Sequence, residues 1–212
     1  MLLLGEQIWG GLVNLGIFGL GFSVLIRNPK RKINRLFFLL TLSIGFLILF
    51  AFLSEVPRDL SISLILTRIC LAFLPLFGVF LFLFSIVFPE EDKVPKFIKN
   101  TFVILATILF FLTAFTNLII KNVEPVSWGF NVVYSNLFYL SLTFWLITTG
   151  LGCFYFLRHY RKITQIQKTQ VKYLFLGLGI FVLISFLVNV PLRAMVGSDV
   201  YYRVGNYSAI FF

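Results

Sequence analysis

The chain has 212 residues, of which 59% are apolar and 12% are charged. Soluble domains are about 45–50% apolar and about 25% charged, so this composition excludes a soluble globular domain, a disordered chain and a disulfide scaffold. The formal net charge is +10 at pH 7, but the basic residues stand in short blocks between apolar runs. That pattern is typical of cytoplasmic membrane loops and does not indicate a nucleic-acid-binding surface.

Six apolar runs are long enough to cross a membrane, which takes about 20 mainly apolar residues. In chain order they lie at 8–26, 36–53, 64–88, 101–120, 134–157 and 173–192. A further run at 204–212 is too short to cross, because it would rise only about 14 Å as an α-helix. The sequence therefore predicts an all-α fold in one domain over residues 1–212, a polytopic membrane helix bundle with six complete transmembrane helices plus the start of a seventh.

Lys and Arg residues are divided unevenly between the loops that join these runs. The loops at 27–35, 89–100 and 158–172 carry 13 of them, whereas the alternate loops carry 4. Since basic loops stay in the cytoplasm, we expect the N-terminus to lie outside and the protein to cross the cell membrane several times.

The sequence lacks the usual signatures of an active site. It has no GxxxxGK[ST] loop for phosphate, and the single histidine, His159, has no neighbouring Cys or carboxylate cluster with which to bind a metal. No Asp or Glu lies inside a predicted span, so neither a proton relay nor a paired acid and base is available there. The sequence therefore predicts no catalytic residue, metal or cofactor.

Arg68 is the only charged residue inside a predicted span. A charge in a membrane span indicates a functional site by default. One interpretation is that Arg68 extends to the outer lipid headgroups. The other is that it faces the bundle, where it would hold an anionic group or pair with an acidic residue. The acidic candidates are Glu55, Asp59 and Asp199.

Four asparagines lie inside or at the edge of predicted spans, each in the outer half: Asn14, Asn117, Asn136 and Asn189. An amide is costly in lipid unless it is paired, so these side chains are expected to face protein or water. Together with Arg68 they form a predicted outer polar layer, which would suit a ligand pocket open to the outside. Ordinary hydrogen bonds between helices are the alternative.

Two prolines bear on the shape of the helices. Pro75 lies inside the third run, and Pro191 ends or bends the sixth. A proline within a helix removes one backbone hydrogen bond and favours a kink. Both residues are candidates for points at which a conformational change bends a helix, although prolines are also common in membrane helices.

Three stretches of the chain have distinctive patterns. Residues 27–53 join a basic block to a Phe- and Leu-rich span, residues 74–92 have a proline near their start and end in FPEED, and residues 170–192 run from QVK to NVPL. Together these stretches resemble the N-terminal seven-helix sensory region of bacterial histidine kinases. The resemblance implies that the region senses an external or membrane signal, that a cytoplasmic kinase or cyclase-type module follows, and that the protein forms a homodimer.

The predicted function is therefore a membrane-embedded input domain that feeds a cytoplasmic histidine kinase in two-component signal transduction. Because the run at 204–212 stops about halfway across, we expect a C-terminal cytoplasmic output domain beyond Phe212. The alternatives are a small-molecule transporter, which would show inverted repeats with broken helices at the midplane, and a non-catalytic membrane assembly subunit. The expected partners are the lipid bilayer and an unknown external or membrane ligand.

Overall fold

The computed structural model describes residues 4–57, 59–88, 93–126, 129–160 and 164–187. These ranges form six α-helices and one antiparallel β-hairpin. The helices are α1 (Leu4–Arg27), α2 (Lys32–Ser54), α3 (Leu60–Ser85), α4 (Lys96–Phe115), α5 (Leu137–Tyr160) and α6 (Gln165–Leu187), and the hairpin strands are β1 (Ile120–Val126) and β2 (Gly129–Tyr134).

Helices α1 to α5 are each long and apolar enough to cross a membrane. The protein is therefore a multi-pass membrane protein. The sixth predicted span falls partly on α6, and its last residues, together with the run at 204–212, lie outside the described residues. The count of six helices plus a seventh, and the outward N-terminus, stay predictions.

Helix α3 lies at the centre of the bundle and packs against α2, α4 and α5, while α1 packs against α2. The largest apolar cluster lies between these helices and includes Leu40 and Ile44 of α2, Phe77 and Leu81 of α3, and Phe156 of α5. Phenylalanine rings contribute much of the packing between helices, in edge-to-face pairs such as Phe82 with Phe102 and stacked pairs such as Phe46 with Phe73.

One face of α4 consists of large apolar side chains that no other described residue covers. Ile104, Phe111 and Phe115 are each more than half exposed. Such a surface would be unfavourable in water but matches lipid tails. It is the arrangement expected when α4 lies at the edge of a membrane bundle.

The predicted fourth and fifth spans differ from the structure at the ends where they approach each other. Helix α4 ends at Phe115 and α5 begins at Leu137, so the ends of the runs at 101–120 and 134–157 belong to turns and strands. The reason is that a short apolar run such as Leu118–Ile120 suits a strand as well as a helix, and hydropathy alone does not separate the two. The membrane-spanning elements are helical as predicted, but a hairpin replaces the expected loop.

The hairpin pairs Ile120 with Tyr134, Val123 with Val132 and Val126 with Gly129, with an irregularity in β1 between Ile120 and Asn122. Only two residues separate the strand ends, which is the commonest hairpin connection. Because β1 also packs against α3, the hairpin lies at the end of the bundle where α3 begins and α4 ends. We refer to this as the hairpin end.

Candidate functional site

Arg68 of α3 binds the backbone at the start of β1. Its Nε donates to the carbonyl oxygen of Ile120 at 3.3 Å, and Nη2 donates to the same oxygen at 2.9 Å. Nη2 also donates to the carbonyl oxygen of Lys121 at 3.3 Å. These three hydrogen bonds, which we call the Arg68–β1 contact, join the hairpin to the central helix.

Apolar side chains surround the Arg68–β1 contact. Ile119 and Ile120 are 1% and 0% exposed, and Leu64 and Leu71 of α3 pack against the apolar cluster that these two residues form with Leu109. These two leucines lie about one turn to either side of Arg68 on the same face of α3. The guanidinium is therefore half-buried at the edge of this group, which we call the hairpin cluster.

Asn117 and Asn136 flank the hairpin in turns rather than inside helices, and both are exposed. The backbone N–H of Ser135 donates to the carbonyl oxygen of Ile119 at 2.9 Å, which closes the base of the hairpin between them. The structure thus brings Arg68, Asn117 and Asn136 to the same end of the bundle.

Asn14 belongs to a different part of the molecule. It lies on α1, is 4% exposed, and its Nδ2 donates to the carbonyl oxygen of Gly10 at 2.9 Å. Its Oδ1 is buried with no hydrogen-bond partner among the described residues. Helix α1 packs against α2, so Asn14 is not on the elements that surround Arg68.

Among the residues that the structure describes, Arg68 forms no ion pair with Glu55 or Asp59, two of the acidic candidates from the sequence. Within the described ranges, all hydrogen bonds from Arg68 go to backbone carbonyls. Asp59 instead accepts a hydrogen bond from the backbone N–H of Ser61 at 2.8 Å and caps the start of α3. Asn189, Pro191 and Asp199 lie outside the described residues.

Pro75 lies buried on α3, about two turns beyond Arg68. One turn further along, Gly78 allows α5 to approach closely. A Cβ at position 78 would lie 3.2 Å from Cδ1 of Trp145 and would overlap Oγ1 of Thr148. The same helix therefore carries the Arg68–β1 contact, the proline and the tight contact with α5.

A family model described as the N-terminal 7TM region of histidine kinase matches residues 12–202. The chain belongs to this family. The resemblance that the sequence suggested is confirmed, and the stretches that carried it all lie within the matched residues. A comparison with curated proteins finds no match.

Two features of this histidine kinase 7TM region could not be identified from apolar runs and charges. The first is the hairpin, although its β-branched residues on either side of a two-residue break at 127–128 are a signal for one. The second is the partner of Arg68. Every residue has a backbone carbonyl, so a sequence does not show that those of Ile120 and Lys121 accept hydrogen bonds. The charge of Arg68 can be read from the sequence, but its contact cannot.

Proposed function

We propose that this 7TM region is the input domain of a sensor histidine kinase in the plasma membrane. It receives an external or membrane signal at the hairpin end and passes it to a cytoplasmic kinase domain. Membership of the family supports this role. The observation that carries it is the Arg68–β1 contact, because that contact links the hairpin to the central helix of the bundle.

The proposed mechanism starts with movement of the hairpin. A ligand that shifts β1 displaces Ile120, and the Arg68–β1 contact and the hairpin cluster carry the displacement to α3. Pro75 lacks the N–H of an ordinary helix position, so α3 bends more easily there. The tight contact at Gly78 then passes the change to α5. A ligand acts in this way only if it binds the two packing states with different affinity.

Three members of the predicted outer polar layer fit this mechanism directly, namely Arg68, Asn117 and Asn136, since all lie at the hairpin end. Asn14 and Asn189 remain candidate contacts on other helices. Pro191 would be a second bending point, and a homodimer would bring two kinase domains together. These parts of the proposal rest on the sequence alone.

The test measures autophosphorylation of the full-length kinase per molecule inserted in the membrane. We expect Arg68→Leu to change the basal autophosphorylation, or its response to the signal, by about 5-fold or more. This is the lower end of the effects that coupling between two sites usually has. Lys96→Leu is the matched control, because Lys96 is an exposed basic residue at the other end of α4. An unchanged kinase level with normal membrane abundance would refute the proposal.

A further inference from the structure

The positive charge of Arg68 has no counter-charge among the residues that the structure describes. Its three hydrogen bonds go to neutral carbonyl oxygens. These bonds satisfy donors but leave the charge uncompensated. A charge that is half-buried beside apolar side chains is costly unless it is paired, so the guanidinium is expected to have an anionic partner.

The guanidinium retains donors for such a partner. Arginine has five N–H groups in a planar fork, and the Arg68–β1 contact uses only Nε and Nη2. Nη1 makes no hydrogen bond within the described ranges. A free edge of the fork suits the oxygens of a phosphate or a carboxylate.

A second cation and two amides lie on the stretch of chain that the Arg68–β1 contact holds. The backbone of Lys121 is held 3.3 Å from Nη2, and its side chain is exposed on a flexible stem. Asn117 and Asn122 are exposed on the same short stretch of chain. Glu124 is also exposed on β1, but it does not bond to Arg68.

The depth of Arg68 in α3 suits a group at the membrane surface. Arg68 follows Leu60, the first residue of α3, by about 12 Å of helix rise, and a helix of 26 residues is about 39 Å long. A hydrocarbon core of about 30 Å leaves part of that length in the headgroup region. An arginine side chain reaches this region from such a depth.

We propose that Arg68 and Lys121 form a binding site for an oxyanion, a phosphate or carboxylate group, at the hairpin end. The group comes either from the headgroup of a membrane lipid or from a soluble anion. The binding itself follows from the charges and donors described above. Its role as the signal rests on the proposed function.

The test uses the purified full chain in dodecyl maltoside, which carries no phosphate. One arm titrates inorganic phosphate at constant ionic strength, and the other adds phosphatidylglycerol, with an uncharged glycolipid as its comparison. The readout is the midpoint of thermal loss of helical circular dichroism. A ligand that binds the folded state raises this midpoint in a saturable way, from which an apparent Kd follows.

We expect saturable stabilisation of the wild type in at least one arm. Arg68→Gln should raise the apparent Kd about 10-fold or more, which is the effect of losing a charge-assisted hydrogen bond. Lys121→Gln should raise the apparent Kd by a smaller factor. This substitution leaves the Arg68–β1 contact intact, because that contact uses the backbone of Lys121. Lys96→Gln is the control and should not change the Kd.

A response to phosphate alone identifies a soluble anion, and a response to phosphatidylglycerol alone identifies a lipid. No saturable response in the wild type, or a response in both Arg68→Gln and Lys121→Gln that equals that of the wild type, would overturn the proposal. A response seen only after Asp199→Asn would also overturn it, since Asp199 would then be the counter-charge. Kinase autophosphorylation is measured separately. Saturable anion binding by the wild type, together with an unchanged kinase level in Arg68→Leu, refutes the signalling role and not the site.

Discussion

At the residue scale, Thr148 and Thr149 of α5 show that two neighbouring buried hydroxyls can differ in hydrogen bonding. Thr148 is 0% exposed, and its hydroxyl donates to the carbonyl oxygen of Phe144 at 2.9 Å. Thr149 is 6% exposed, and its hydroxyl has no partner among the described residues. Sequence alone does not distinguish these neighbours, because the difference depends on whether each hydroxyl turns back to a carbonyl of its own helix, as that of Thr148 does.

The two threonines are expected to respond differently to replacement by valine, which keeps their shape. Thr149→Val removes an unpaired buried hydroxyl, so it should leave the free energy of unfolding unchanged or raise it by about 1 kcal/mol. Thr148→Val removes a hydrogen bond and should lower it by about 0.5–1 kcal/mol. Reversible unfolding in mixed micelles measures both, and a larger loss for Thr149→Val than for Thr148→Val would show that the Thr149 hydroxyl is paired.

At the element scale, the contact between α3 and α5 depends on small residues. A Cβ at Gly78 would overlap Thr148, and one at Gly152 would lie 3.1 Å from Cγ of Leu81. Gly150, on the same helix as Gly152, has nothing within 4 Å. Close packing of α5 against α3 therefore requires the glycine at position 152 but not the one at position 150.

Replacing Gly78 with alanine should separate α3 from α5, because the added methyl group has no room. We expect the free energy of unfolding to fall by about 1–3 kcal/mol, as for other overpacked sites. Gly150→Ala is the control and should be neutral or stabilising by about 0.5–1 kcal/mol, since alanine favours a helix over glycine. Equal effects of the two changes in the same unfolding assay would mean that the close approach is absent.

The membrane-spanning helices could be predicted from the sequence, but the element that joins α4 to α5 could not. Continuous apolar runs located the helices because only a helix satisfies its own backbone in lipid. Ile119 and Ile120 extend such a run, which predicts a helix, although the structure buries Ile119 in the turn before β1 and Ile120 at the start of β1. The charge of Arg68 marks it in the sequence, whereas its hydrogen-bond partners are backbone carbonyls that the hairpin places beside it.

At the scale of the whole molecule, the two ends of the bundle differ. One end carries the hairpin, and the other carries the basic loops. The hairpin joins α4 to α5 and lies at the end where α3 begins. The loops that carry 13 of the Lys and Arg residues join helices at the opposite end. Positive loops remain in the cytoplasm, so this polarity predicts an external hairpin and an external signal.

Labelling with a membrane-impermeant maleimide tests this orientation. Cys70 and Cys153 are first replaced with serine, since both are free thiols. A single cysteine at Leu118, which is 48% exposed beside the hairpin, should be labelled in intact cells. A single cysteine at Lys96 should be labelled only after the membrane is opened, and the reverse pattern would invert the orientation.

The most direct test of the account is a double-mutant cycle on autophosphorylation of the full-length kinase, with Arg68→Leu and Ile120→Ala. Arg68→Leu removes the hydrogen bonds to the Ile120 carbonyl, whereas Ile120→Ala keeps that carbonyl and removes side-chain packing in the hairpin cluster. Both changes therefore weaken the connection between the hairpin and α3, each through a different part of it. The double variant should therefore change the kinase level no more than the stronger single variant does, because coupled residues are not additive. If the two effects multiply, or if neither variant changes autophosphorylation at normal membrane abundance, the hairpin does not act on the kinase through Arg68.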